Sequence, residues 1–484
     1  MAGSVGPRGD GEGEDDWQQR AEQLRARVAT RRAVCVVGSG LAGLACAERF
    51  ASCGFAICVV CGEEAPGQSG PASAAASLLD PLTPKGKPMW RGTEAFDDAI
   101  ASLDRAGEAP RPPRLQAQLP ILHVAGSSKA ADALRAAATE HTEAAASAEG
   151  VASAASAGVR YLESGHAELA RDASGASLPH GGLLCYGVSV DTASYLRSLW
   201  AAVQRATAAS WVCRRLARVG PVAAAFDCVV IAAGAGCGSI DETRHLPLEL
   251  CRGQVLELAP PGLRPAPPAA TDGAQPADGA APEAPLGMAL VGSGCYILPR
   301  GGALVCGGTH EDAGADGSRP APADAEAAAR LLMPRVTALY PPAAASAPPR
   351  AARAGVRALP PRSPAGGSIP LAGRAHSQPG QPNVWFATGL GARGLLYHSA
   401  LAKWIVGAAV AALAAKDRSE ACPEACRHEA GLEARHELPE LRPELPVELR
   451  RGEWAQCVSE RLERWLERGA ARTYLNTKMH NFDS

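Results

Sequence analysis

The chain has 484 residues, a net charge of -2 and 46% hydrophobic residues, enough for two or three domains with a sizeable core. That balance gives no broad basic footprint for nucleic acid, and no stretch reaches about 18 uninterrupted apolar residues, so no membrane span is read. The 15 cysteines follow no secretory signal and sit largely inside apolar runs, as Cys35, Cys46, Cys58 and Cys228 do, which excludes a disulfide scaffold and makes the cytoplasm the expected location.

Residues 1–32 read as a charged leader ending in a short amphipathic helix around Trp17 to Val28. Ala33 to Val37 is an apolar, β-branched run of the kind that suits a buried parallel strand. Gly38-Ser39-Gly40-Leu41-Ala42-Gly43 follows at once and opens a helical pattern that runs through Phe50 to Gly54, and Ile57 to Val60 reads as a second buried strand. Strand, turn, helix and strand are the context in which G-x-G-x-x-G marks a dinucleotide site. Gly38 permits the tight turn, Gly40 lets a pyrophosphate approach the backbone, and Gly43 lets helix and strand pack closely. A carboxylate for the adenosine ribose belongs about 20 residues further on. That place holds Cys61, so Glu63 or Glu64 is the expected substitute, with Glu63 preferred.

Further along, the stretches His141 to Gly158, Ala259 to Gly287 and Pro341 to Ala354 are rich in Ala, Pro, Gly and Ser and read as loops or insertions. Between them lie compact apolar pieces. Phe226 to Gly234 is a strand running into a glycine turn, and Gly253 to Leu258, Tyr296 to Leu298 and Ala303 to Cys306 are short strands. Asn383 to Thr388 is a strand entering Gly389-Leu390-Gly391, followed by a long helix from about Gly394 to Ala415. The tail from Lys416 is rich in Glu and Arg, with a helix over Val458 to Arg468. Its Cys422, Cys426, His428 and His436 match no zinc spacing, so no metal site is read. The pattern predicts an α/β fold: a discontinuous Rossmann-like nucleotide domain with an inserted, mainly β, α+β domain. The expected boundaries are 33–92, 182–245 and 353–415 for the first, 93–181 and 246–352 for the second, and 416–484 for the tail.

Several blocks in this order resemble the flavoprotein oxidases of the D-amino-acid oxidase and glycine oxidase type. They are the glycine turn; Ser73 to Leu79 running into Asp80-Pro81-Leu82-Thr83-Pro84-Lys85-Gly86-Lys87 and Trp90-Arg91-Gly92; Ser189 to Thr192; Val230 to Gly236; Arg252 to Val255; Tyr296 to Arg300; Gly355-Val356-Arg357; and Gly389 to His398. The Asp80 to Gly92 stretch is most similar to plant and cyanobacterial members, and less closely to the oxidase module of a bifunctional tRNA-modifying enzyme. Those members commonly carry His where this chain has Asp80.

The resemblance implies an FAD-dependent oxidoreductase that oxidises the C–N bond of an amino acid or secondary amine, with O2 as acceptor. It implies that Ala75, Ala76 and Ser77 thread past the flavin, that Gly234 lies on the cofactor, and that Gly389, Gly391, Ala392, Arg393, Gly394 and Leu395 face the ring. Small residues at 74–76 suit packing against an aromatic ring system. A helix opening at Gly394 would offer amides and a positive dipole end where a reduced flavin carries negative charge. No proton-abstracting side chain is assigned, since the flavin carries the hydride chemistry. Arg357 is the expected carboxylate-binding group, Tyr296 lines the substrate site, and Arg393 is a second cationic candidate. Two other readings stand beside this one: a tRNA wobble-uridine oxidase using Arg91, Arg350, Arg353, Arg357 and Arg362 as a basic face, and a non-catalytic flavin-binding assembly factor.

Overall fold

The computed structural model describes residues 14–68, 70–75, 77–107, 116–147, 158–260, 286–313, 323–346, 348–363, 367–375 and 383–421. Ala76, the tail helix expected at Val458 to Arg468 and the Cys/His group at 422–436 lie outside them.

A six-stranded sheet carries the glycine turn. Its order is Leu371–Arg374, Val384–Thr388, Cys228–Ile231, Ala33–Val37, Ala56–Cys61 and Ala209–Cys213. All neighbours are parallel except the edge strand Leu371–Arg374, which runs antiparallel to Val384–Thr388. Ala33–Val37 occupies an interior position and has both faces covered, which is why it reads as an unbroken apolar run. Val34 and Val36 pack with the helices Leu41–Ser52, Gly92–Gly107, Thr192–Ala206 and Gly394–Ala421. Ala33, Cys35 and Val37 pack on the opposite face, where Trp17, Ala21 and Leu24 of the helix Glu14–Arg25 cover the sheet. Arg25 ties that helix to Asp227 at 3.0 Å.

The second sheet has ten strands and is mainly antiparallel. Its principal run is Glu311–Asp312, Glu249–Leu258, Ala303–Gly307, Cys295–Arg300, Ala289–Gly292, Gln116–Val124, Gly182–Val190 and Leu78–Leu79; Ala351–Leu359 pairs with Glu249–Leu258, and Arg160–Leu162 with Gly182–Val190. By strand pairing, Gly182–Val190 and Ala351–Leu359 therefore stand in this sheet, not in the six-stranded one. The helix Thr192–Ala206, capped by Asp191 accepting from the Ser194 amide, leads the chain back onto the six-stranded sheet. The fold is α/β with mixed sheets, as expected.

Two stretches differ from their reading as loops. The helix Ser128–Ser147 takes in His141, and Pro341 to Ala354 contributes a 3-10 turn, Pro341–Ser346, and the start of Ala351–Leu359. Alanine is the best helix former, and Ala137, Ala138 and His141 are buried, so an Ala-rich stretch gained a covered face that composition does not reveal. The helix Gly394–Ala421 is long and apolar enough to cross a membrane by composition alone. Here it is a core element, with Leu396, Leu401, Ala402, Ile405 and Ala409 buried against the other helices.

Candidate functional site

A cavity of about 960 Å³ runs between the two sheets. Its upper wall begins at the turn after Ala33–Val37. Gly38 has φ +113°, and a Cβ there would stand 2.4 Å from the Ala232 carbonyl oxygen. A Cβ on Gly43 would stand 2.0 Å from the Gly38 carbonyl oxygen, so helix and turn touch through backbone. Gly40 is the contrasting case. A Cβ there would meet nothing within 4 Å, and Gly38, Ser39, Gly40, Leu41 and Ala42 all line the cavity. The helix Leu41–Ser52 has no side-chain cap at Gly40, which leaves first-turn N–H groups and the positive dipole end facing open space.

At the end of the neighbouring strand, Cys61, Gly62 and Glu63 line the cavity, while Glu64 is exposed outside it. The Glu63 carbonyl accepts from Trp211 Nε1 at 2.8 Å and from Cys61 Sγ at 3.3 Å, fixing the loop that presents Glu63. Arg214, Arg215 and Leu216 close the same end, and sequence reasoning missed them. The signal was the short strand Ala209–Cys213, which pairs with Ala56–Cys61 and delivers Arg215 beside Gly62.

Ala75 and Ser77 line the middle of the cavity, as do Gly234, Gly389, Gly391, Ala392, Arg393, Gly394 and Leu395. Ser77 has φ +65° and is held there by Thr192, whose hydroxyl donates to the Ser77 hydroxyl, and by the Val190 amide donating to its carbonyl. The 3-10 turn Gly391–Arg393, which has no side-chain cap, and the start of Gly394–Ala421 both meet the cavity.

The larger sheet supplies the floor. Tyr296 and Arg357 both line it. Their heads converge: a Cβ placed on Gly308 would stand 3.1 Å from Arg357 Nη2 and 3.7 Å from the Tyr296 hydroxyl oxygen. Arg357 reaches this position by lying across Gly253, where a Cβ would be 1.9 Å from Nη2. The Thr309 carbonyl accepts from Arg357 Nη2 at 3.4 Å, and no ion pair engages this guanidinium among the described residues.

Asp80 also lines the cavity, buried at 5% exposure. Its Oδ1 accepts from the Leu82 amide at 2.9 Å and stands 3.5 Å from His123 Nε2. Burial pushes the Asp80 carboxyl up, but the contact with His123, the Arg393 guanidinium and the Leu82 hydrogen bond together outweigh burial and hold it below the usual carboxylate range. His123 was not singled out from sequence. It reaches Asp80 only because Gln116–Val124 and Leu78–Leu79 both flank Gly182–Val190 in the sheet.

The family of FAD dependent oxidoreductases known as DAO matches residues 33–408. The chain belongs to this family. It is therefore an FAD-dependent oxidoreductase, and the turn at Gly38 to Gly43 fits such a cofactor through the open Cβ direction at Gly40 and the uncapped helix end. No curated protein matches the chain. Among solved structures, glycine oxidase from Geobacillus kaustophilus is 18% identical with a TM-score of 0.56, covering 78% of this chain and 94% of that one. Iminodiacetate oxidase from Chelativorans sp. BNC1 is 17% identical with a TM-score of 0.54, covering 77% and 94%. L-α-glycerophosphate oxidase from Mycoplasma pneumoniae with FAD bound is 15% identical with a TM-score of 0.55, covering 79% and 94%. At these identities the likeness shows the fold, and the substrate has to be argued from the site.

Proposed function

We propose that this protein oxidises the C–N bond of a small amino acid or secondary amine that carries a carboxylate, with O2 as electron acceptor. One observation carries the reading: an arginine fork and a tyrosine hydroxyl converge at Gly308 on the floor of the cavity whose roof is the dinucleotide turn. A guanidinium offers paired N–H donors that match a carboxylate, and a neighbouring hydroxyl adds a third contact. In this reading Gly38 to Gly43 would hold the pyrophosphate, Glu63 the ribose, and Ala75, Ser77, Gly234 and Gly389 to Leu395 the ring.

FAD, when bound, supplies the acceptor for two electrons and a proton. The chain's part is to bind and orient. Arg357 and Tyr296 fix the carboxylate, so that the adjacent C–H bond meets the ring in one orientation, and proximity supplies much of the rate. Loss of hydride from carbon, with one nitrogen proton released to water, leaves a protonated C=N bond, which water hydrolyses to a carbonyl compound and an amine, while O2 takes up two electrons and two protons to form H2O2.

The purified flavin-containing protein should bleach when mixed without oxygen with glycine, sarcosine, D-alanine or iminodiacetate, and release H2O2 when air is admitted. Bleaching by glycerol 3-phosphate and by none of the amines would overturn the substrate class.

A further inference from the structure

The carboxylates that line the cavity among the described residues are Glu63 and Asp80, at separate places. Glu63 sits at the end of Ala56–Cys61 beside Arg214 and Arg215. Asp80 follows Leu78–Leu79 at the edge of the larger sheet. His123, Val291 and Tyr296 occupy matching register positions on three adjacent strands, so their side chains share one face of that sheet. At about 5 Å per strand, the His123 backbone stands about 10 Å from that of Tyr296. One end of the floor therefore carries Arg357 with Tyr296, and the other carries Asp80, with His123 buried beside it outside the cavity lining.

The second end has unused capacity. Among the described residues no hydrogen bond reaches Asp80 Oδ2. His123 is 1% exposed, and apart from the 3.5 Å approach of Nε2 to Asp80 Oδ1 neither ring nitrogen meets a polar partner among the described residues. The groups around the Asp80 carboxylate are His123, Arg393, the Cys185 thiol and the Leu82 amide. With Arg357 and Arg393 on the same cavity, a zwitterionic or cationic substrate needs an anionic partner for its nitrogen, and buried charges without partners are costly.

We propose that Asp80, positioned by His123, is the subsite for the positively charged nitrogen of the substrate. This rests on the amine-oxidising reading and adds a nitrogen-binding group to the carboxylate-binding one. Amines enter from neutral water as ammonium cations, because their ordinary pKa lies near 10. Holding Asp80 below the usual carboxylate range keeps it anionic for that partner. Ligand atoms of Asp80, His123 and Cys185 lie within 4.8 Å of one another, a spacing a metal ion could bridge. Of the three, Asp80 alone lines the cavity, so a ligand arriving there meets one carboxylate and not the full set, and a nitrogen subsite is the better match.

The test uses the flavin-containing protein and two unreactive probes, each read by its perturbation of the flavin spectrum. Ammonium ion has no C–H bond to oxidise and reports the cationic subsite, with sodium as the control for ionic strength. Methoxyacetate reports the carboxylate subsite. In the wild type the two should bind together instead of competing. Asp80→Asn keeps an oxygen for the Leu82 amide and removes the charge. It should retain flavin, weaken ammonium binding by about 10–100-fold and leave methoxyacetate binding unchanged. For glycine or sarcosine its KM should rise by a similar factor with kcat within about threefold. His123→Gln should weaken ammonium binding by a smaller factor, about threefold to tenfold, in line with a positioning role.

Equal ammonium affinity in wild type and Asp80→Asn, competition between the two probes, or stoichiometric zinc in the purified protein would each overturn the proposal. Wild-type protein that binds ammonium at Asp80 but oxidises no amine would sink the functional reading and leave the subsite standing.

Discussion

Arg357 reaches the cavity because the residues beneath it have no side chains. Gly253 lets Nη2 occupy space that a Cβ would contest at 1.9 Å, and Gly308 leaves the face between the guanidinium and the Tyr296 hydroxyl open. If the guanidinium holds the substrate carboxylate, Arg357→Ala should lower kcat/KM for that substrate by roughly two to three orders of magnitude, as expected for truncating one partner of a buried charge pair. Arg357→Lys keeps the charge and loses the paired geometry, so it should recover only part of the loss. Flavin content should not change in either variant. Steady-state kinetics beside absorbance checks this, and wild-type turnover by Arg357→Ala would move the role to Arg393. That Arg357 and Tyr296 line the cavity follows an expectation the sequence offered because each stands inside a recognisable block. Asp80 was visible too, as an odd residue in a familiar stretch, but His123 was not. The two residues are 43 apart in sequence and meet only because their strands, Leu78–Leu79 and Gln116–Val124, are both aligned on a third, Gly182–Val190, which no local pattern encodes.

Between the residue and the whole molecule stand elements whose small positions do separate jobs. Gly40 faces empty cavity, whereas a Cβ on Gly43 would strike the Gly38 carbonyl oxygen. Gly40→Val should therefore purify without FAD and melt near the temperature of wild-type protein stripped of FAD, since the added branch occupies the phosphate's approach and strikes no protein atom. Gly43→Ala should lower the melting temperature itself, because helix and turn must separate. Stoichiometric flavin in purified Gly40→Val would show that the pyrophosphate lies elsewhere. Three helices meet at a second device. Tyr195 of Thr192–Ala206 bonds to Ser102 of Gly92–Gly107 at 2.8 Å and to His398 Nε2 of Gly394–Ala421 at 2.7 Å. The Leu395 carbonyl accepts from Nδ1–H, which orients the ring toward the Tyr195 hydroxyl. Burial, above all, lowers the His398 pKa to about 4. Because the folded value lies below the unfolded one near 6.5, this group's full contribution to stability is present above pH 6.5 and is lost as pH falls toward 4. Between pH 7 and pH 5 the loss should be about 2 kcal/mol. Denaturant unfolding across that range should show it, and His398→Leu should flatten the slope; an equal slope in both proteins would assign the acid sensitivity to other groups. Elements with both faces covered, such as Ala33–Val37, were plain from sequence. The helix Ser128–Ser147 and the half-buried strand Ala351–Leu359 were not, because alanine-rich segments carry little contrast between covered and exposed faces.

At the scale of the whole molecule, neither sheet makes the cavity alone. The six-stranded sheet supplies Gly38 to Ala42, Ala232 to Gly236 and Ala387 to Leu396, and the larger one supplies Val255, Val291 to Tyr296, Gly307, Gly308 and Gly355 to Ala358. A cofactor seated along it contacts both bodies at once, so it binds the assembled fold and not either sheet in isolation. Binding of that kind stabilises by mass action, about 2.7 kcal/mol when free FAD is a hundred times its dissociation constant. The stabilisation should appear wherever opening would release the ligand. Hydrogen exchange on protein stripped of FAD and then refilled should therefore slow at the amides of Leu41 to Leu44 and also at those of Val291 to Tyr296, which belong to the other sheet. The Gly40→Val protein, given the same FAD, should show neither effect. Protection confined to the glycine turn would mean that the flavin end does not reach the larger sheet, and the convergence of Arg357 and Tyr296 would then face something other than the flavin's substrate.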